Sequence, residues 1–67
     1  MPQDPITQAR DHVRDGRAIV ARQRALIVRI RAQRRDPKMA EGLLIRFESS
    51  LRTFEEDLER LEATQEA

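Results

Sequence analysis

Apolar and small side chains recur in the first half of the chain at spacings that alternate between three and four residues. Such a pattern places them along one side of a helix, at the a and d positions of a heptad repeat. The a positions are Ile6, Val13, Val20 and Ile27, and the d positions are Ala9, Gly16, Gln23 and Ile30. The pattern predicts one long helix over about residues 5–34, which packs on another helix through this stripe.

A second stripe follows in the other half of the chain, and all of its members are apolar. It consists of Ala40, Leu44, Phe47, Leu51, Phe54, Leu58 and Leu61. The same alternating spacing predicts a second helix over about residues 37–64. This stripe is the stronger of the two signals, because the first stripe contains a glycine and a glutamine.

The segment RRDPK separates the two predicted helices, and we expect a tight turn at residues 35–36. Pro37 has no N–H to donate and disfavours helical geometry at Asp36, so the first helix ends before it. Asp36 is also suited to cap the second helix, with Pro37 at its first position, as Asp4 and Pro5 are at the first helix. Because the connection is short, the predicted fold is all-α, an antiparallel two-helix coiled-coil hairpin.

The positions that flank the two stripes on one side carry opposite charges. All four e positions of the first helix are arginines, and all four e positions of the second helix are glutamates. Antiparallel packing brings these two rows together, so we predict four interhelical ion pairs that fix the alignment. The predicted pairs are Arg10–Glu62, Arg17–Glu55, Arg24–Glu48 and Arg31–Glu41. In the core, a turn centred on Pro37 would place Gly16 opposite Leu58 and Gln23 opposite Leu51.

The length of 67 residues permits one small domain, over residues 1–67, and the absence of cysteine leaves it without a disulfide or a thiolate metal site. The hairpin would also leave several apolar side chains half in water. We therefore expect a homodimer that forms a four-helix bundle, and the alternative is a hairpin that docks on a different protein. The expected interface residues are Ile19, Leu26, Leu43, Val28, Ile45 and Met39.

The formal net charge of +1 conceals an asymmetry, since residues 1–36 carry a net charge of +5 and residues 37–67 a net charge of −4. Most arginines of the first half are used by the predicted ion pairs or by the last turn of the first helix. Nucleic-acid binding, to RNA in particular, is the competing hypothesis, because phosphates could bind the remaining arginines. These are Arg14, Arg22 and Arg29, and neither phenylalanine is free to stack on bases.

Candidate catalytic chemistry is sparse. His12 is the only histidine, and it has Asp11 and Asp15 nearby in the sequence. An acid–base pair or half of a metal site is conceivable there, but no second histidine or cysteine completes it. We expect His12 to be a flanking surface residue, and we expect no metal, no cofactor and no enzymatic activity. The predicted role is a small interaction or adaptor module.

The N-terminus has no basic segment followed by an apolar core, which a signal peptide would have. The longest uninterrupted apolar run is Ala25–Val28, much shorter than the roughly 20 residues that span a bilayer. We therefore expect a cytoplasmic protein that does not insert into membranes.

The pattern HVRDGRAIVARQRALI, followed by AEGLLIRFESSLRTFEEDLERL, resembles that of short uncharacterised proteins common in alphaproteobacterial genomes. The resemblance covers about residues 12–61. It implies a bacterial cytoplasmic helical hairpin, and it implies no activity, ligand or site residue.

Overall fold

The structure, a computed structural model, describes residues 4–66, with side chains through residue 65. It contains two helices, α1 (Pro5–Ala32) and α2 (Lys38–Glu66), which pack against each other as an antiparallel hairpin, and no strand in the described part. The predicted two-helix hairpin is therefore confirmed. The connection, residues 33–37, is longer than predicted, because α1 ends two residues early and α2 begins one residue late. Residues 1–3 and 67 of the predicted domain lie outside the described residues.

Both helices begin with an aspartate that accepts backbone hydrogen bonds. At α1, the Thr7 backbone N–H donates to the Asp4 carboxylate over 2.9 Å, and the Thr7 hydroxyl donates to its other oxygen over 2.9 Å. These two donors hold the pKa of the Asp4 carboxyl below its usual 3.8. At α2, the Lys38 N–H donates to the Asp36 carboxylate over 3.0 Å. Each carboxylate satisfies an N–H that the first turn of a helix leaves without a partner.

Helix α1 ends in a Schellman motif at Arg34. The Arg34 N–H donates to the Arg31 carbonyl over 2.9 Å, and the Arg35 N–H donates to the Ile30 carbonyl over 3.0 Å. This geometry requires the left-handed conformation at one residue, and Arg34 adopts it with a φ of 56°. Glycine is the usual residue at such a position, so the chain tolerates backbone strain in order to turn here.

The two stripes are buried to different depths. On α1, the buried residues are Ile6, Ala9, Val13, Val20, Gln23 and Ile27. On α2, Ala40 is the one residue buried between positions 38 and 65, and the half-buried stripe residues are Leu44, Phe47, Leu51, Phe54, Leu58 and Leu61. The buried residues of α1 are mostly smaller than these side chains of α2, and one facing helix covers only part of the α2 stripe. The hairpin therefore has an incomplete core.

The predicted alignment of the core residues was wrong by one heptad. A Cβ atom built on Gly16 would lie 3.1 Å from Leu51 Cδ1, so Gly16 faces Leu51 and not Leu58. Gln23 was expected opposite Leu51, but its side chain reaches the Ala40 carbonyl nearer the turn. A heptad stripe fits its partner equally well after a shift of seven residues, so periodicity alone did not distinguish the two alignments.

The hairpin is an elongated rod with extents of 52 × 22 × 14 Å and a Cα radius of gyration of 15.5 Å. A compact domain of 67 residues would have a radius of gyration of about 11 Å. The rod exposes 5574 Å² of surface, whereas a compact monomer of 7.8 kDa would expose about 4,400 Å². The fold therefore leaves far more surface in water than its mass requires.

Candidate interaction surfaces

One long side of the rod, here termed the arginine–glutamate face, carries interhelical ion pairs. All four predicted pairs are present, with N–O distances between 2.5 and 3.3 Å. They are Arg10–Glu62, Arg17–Glu55, Arg24–Glu48 and Arg31–Glu41. Their side chains are 38–67% exposed, so each pair contributes only about 0.2–1 kcal/mol. Their main effect is to favour one orientation and register of α2 on α1.

The opposite long side has no interhelical ion pair within residues 4–65 and is termed the apolar face. Between the middle of the rod and the turn it carries Ile19, Leu26, Met39 and Leu43. Leu26 is half-buried, while Ile19, Leu43 and Met39 are 37%, 40% and 83% exposed. Large aliphatic side chains in these positions lose the free energy that full burial would provide.

Two grooves indent the apolar face, one near each end of the rod. The groove near the turn has a volume of about 790 Å³, and Leu26, Ile30, Met39 and Leu43 contribute to its lining. The groove near the termini has a volume of about 410 Å³, and its lining includes Ala9, His12, Phe54 and Leu61. The apolar face thus has apolar side chains in a groove at both ends of the rod.

The six predicted interface residues do not lie on one surface. Val28 and Ile45, which are 66% and 67% exposed, line a groove beside Arg31 and Glu41 on the arginine–glutamate face. The remaining four belong to the apolar face. The structure therefore separates the predicted interface into a four-residue patch and a two-residue patch on opposite sides of the rod.

A polar side chain lies beneath the groove near the turn. Gln23 is 9% exposed, and its Nε2 donates a hydrogen bond to the Ala40 carbonyl over 2.9 Å. No buried side-chain nitrogen or oxygen in the described part of the chain lacks a hydrogen-bond partner. The Gln23 hydrogen bond thus joins the middle of α1 to the first turn of α2, and the buried amide costs little free energy because it has a partner.

The arginines proposed for nucleic-acid contact differ in their surroundings. Arg14 contacts the carboxylates of Asp11 and Asp15, each over 3.2 Å, so its charge is balanced locally. Arg22 and Arg29 form no ion pair with residues 4–65 and lie one heptad apart on α1. Arg22 and Arg29 are at the heptad position two residues after an a position, and Arg46 occupies the same position on α2, two residues after Leu44. Arg46 is one heptad after Met39, and this spacing could have identified it from the sequence.

Charge is distributed unequally along the rod. Residues 19–48, termed the turn end, carry eight cationic side chains and three carboxylates, a net charge of +5. The rest of the described chain, termed the open end, carries five cationic side chains and nine carboxylates, a net charge of −4. In the folded hairpin, net positive charge lies at the turn end and net negative charge at the open end. The reason is that the arginine-rich part of α1 lies nearest the turn.

His12 is exposed and lies beside an aromatic side chain of α2. Its ring packs on that of Phe54, with the ring centroids 5.1 Å apart. Among the described residues, no three histidine, aspartate or glutamate side chains are close enough to hold a metal ion. Neither helix, over its described length, contains a segment apolar enough to cross a membrane.

Comparisons with known proteins returned no matching family model, no matching curated protein and no matching solved structure. The proposed role therefore rests on the geometry of the two faces and on the charge distribution.

Proposed function

We propose that this chain is a non-enzymatic interaction or adaptor module that self-associates, two hairpins forming a four-helix bundle. The observation that carries the proposal is the apolar face, where Ile19, Met39 and Leu43 remain exposed although the hairpin is fully formed. Full burial of such a side chain provides about 1.5–3 kcal/mol, so covering the face with a second hairpin is favourable. The resemblance to short alphaproteobacterial proteins supports a bacterial setting, for which we propose the cytoplasm.

The surface area supports the same proposal. The rod exposes about 1,200 Å² more than a compact monomer of its mass, while a standard interface removes about 800 Å² from each partner. A second hairpin laid along the rod would also cover the half-buried side chains of α2. A four-helix bundle has the enclosed core that two helices of this composition lack.

Light scattering after size exclusion tests the proposal directly. At tens of micromolar, we expect a mass of about twice the 7.8 kDa of the chain. A strictly monomeric mass across that concentration range would overturn self-association. It would leave docking on a different protein as the explanation of the apolar face.

A second candidate is RNA binding, and Arg22, Arg29 and Arg46 favour it because they have no ion pair within residues 4–65. If these side chains contact phosphates, the affinity for RNA falls steeply with salt, and removing two contacts lowers the log–log salt slope by about 2. The test compares Arg22→Ala/Arg29→Ala with the single variant Arg52→Ala on a different surface. No binding at low salt would remove this candidate.

A further inference from the structure

We infer that the two hairpins of the dimer pack antiparallel through their apolar faces, with the turn end of each copy on the open end of the other. This inference rests on the proposed self-association and specifies its geometry. It follows from the distribution of charge and of apolar grooves along the rod.

Charge complementarity distinguishes the antiparallel from the parallel arrangement. In a parallel pair, the two turn ends, each with a net charge of +5, would lie side by side, and so would the two negative open ends. In an antiparallel pair, each positive end lies on a negative end. Opposite charges across an interface favour that orientation, and like charges disfavour the other.

The charges nearest the apolar face have the same polarity. On the turn end, Arg22, Arg29 and Arg46 border this face and have no ion pair in the described residues. On the open end, Asp15 and Asp57 border it, and within residues 4–65 their ion-pair partners are the local Arg14 and Arg60. An antiparallel partner would bring carboxylates toward the arginines that the hairpin itself leaves without counter-charges.

The two grooves also fit this arrangement. A twofold axis at the middle of the rod places the groove near the turn of one copy over the groove near the termini of the other. The exposed Met39 and Leu43 side chains would then meet the recess beside Ala9 and His12. In a parallel pair each groove would face the equivalent groove of the other copy, and Met39 would meet Met39 of the other copy.

The absence of cysteine allows a direct measurement of orientation. A nitroxide spin label is attached to the full chain at Ala32→Cys, beside the turn, or at Ser49→Cys, near the middle of the rod. Both positions are exposed, and neither lies on the apolar face. Pulsed dipolar spectroscopy then gives the distance between the two labels of a dimer. Circular dichroism and light scattering check that each labelled chain remains helical and dimeric.

The antiparallel arrangement predicts a label separation of about 40 Å at Ala32, because this residue lies about 13 residues from the rod middle and a helix rises about 1.5 Å per residue. The Ser49 labels are expected within about 30 Å of each other, since packed helices lie about 8–10 Å apart. A separation within about 30 Å at both positions would show a parallel dimer and overturn the inference while leaving self-association intact. No dipolar coupling at either position, with a monomeric mass, would overturn both.

Discussion

Gln23 donates its side-chain amide to the Ala40 carbonyl over 2.9 Å, and among the described residues it is the one buried polar side chain. The two residues are separated by 17 positions in the sequence, so the bond closes the hairpin near its turn. Its position beneath the apolar groove also connects the folding of the hairpin to the surface proposed for self-association.

The first prediction concerns Gln23→Glu. At neutral pH a buried carboxylate would face a carbonyl oxygen, so we expect a loss of about 1–3 kcal/mol in the free energy of unfolding. Burial raises the pKa of this new carboxyl, and its protonated form can donate to Ala40, so the loss should shrink as the pH falls. Thermal melts of Gln23→Glu and of the exposed control Gln8→Glu, at neutral and mildly acidic pH, measure the difference. Equal behaviour of the two variants would contradict this role of Gln23.

The second prediction concerns the arginine–glutamate face. Arg17→Glu combined with Arg24→Glu should lower the free energy of unfolding by about 1–2 kcal/mol, because two attractive pairs become repulsive. Adding Glu48→Arg and Glu55→Arg restores opposite signs and should return most of the stability. Urea denaturation compares the double and quadruple variants. A quadruple variant no more stable than the double would show that these pairs do not set the register.

The four interhelical ion pairs could be predicted from the sequence, whereas the alignment of the core residues could not. The pairing of Arg24 with Glu48 follows from two features that the sequence contains. The flanking positions have opposite charges on the two helices, and long side chains point toward the N-terminus of their own helix. The contact of Gly16 with Leu51 depends on where the chain turns, and α1 ends earlier than the Asp36–Pro37 signal indicated, because Arg34 adopts the left-handed conformation. No residue-type signal marks an arginine for that conformation.

The depth of burial and the division into two faces also needed the structure. The sequence identifies Phe47 and Leu51 as core positions. In the structure they are partly exposed, because the smaller side chains of α1 cover only a fraction of their surface. Val28, Ile45 and Leu43 are all apolar and near the turn in the sequence, so the sequence alone does not separate them. Only the helix rotation in the structure assigns them to opposite sides of the rod.

The third prediction compares the two glycines. Gly42→Ala should raise the free energy of unfolding by about 1 kcal/mol, because alanine has the higher helix propensity and nothing lies within 4 Å of the added Cβ. Gly16→Ala should gain less, because its Cβ would lie 3.1 Å from Leu51 Cδ1 and the half-buried leucine must shift. Chemical denaturation measures both variants. An equal or larger gain at Gly16 would contradict its close contact with Leu51.

The fourth prediction concerns the turn. Arg34→Gly should stabilise the hairpin by about 1 kcal/mol, since glycine adopts a φ of 56° without the steric cost that arginine has. The neighbouring control Arg35→Gly removes the same charge at a residue without a positive φ, so it should be neutral or destabilising. Thermal melts of the two variants provide the comparison. A destabilised Arg34→Gly would indicate that the Schellman geometry does not form at this residue.

The most direct test of the central claim compares two charge-matched double variants by sedimentation equilibrium. Met39→Glu/Leu43→Glu places two carboxylates on the apolar face, and Val28→Glu/Ile45→Glu places two on the arginine–glutamate face, at side chains that are 40–83% exposed in the hairpin. We predict that the first variant is a helical monomer and that the second remains a dimer. A dimeric Met39→Glu/Leu43→Glu variant, or dissociation of Val28→Glu/Ile45→Glu alone, would contradict self-association through the apolar face.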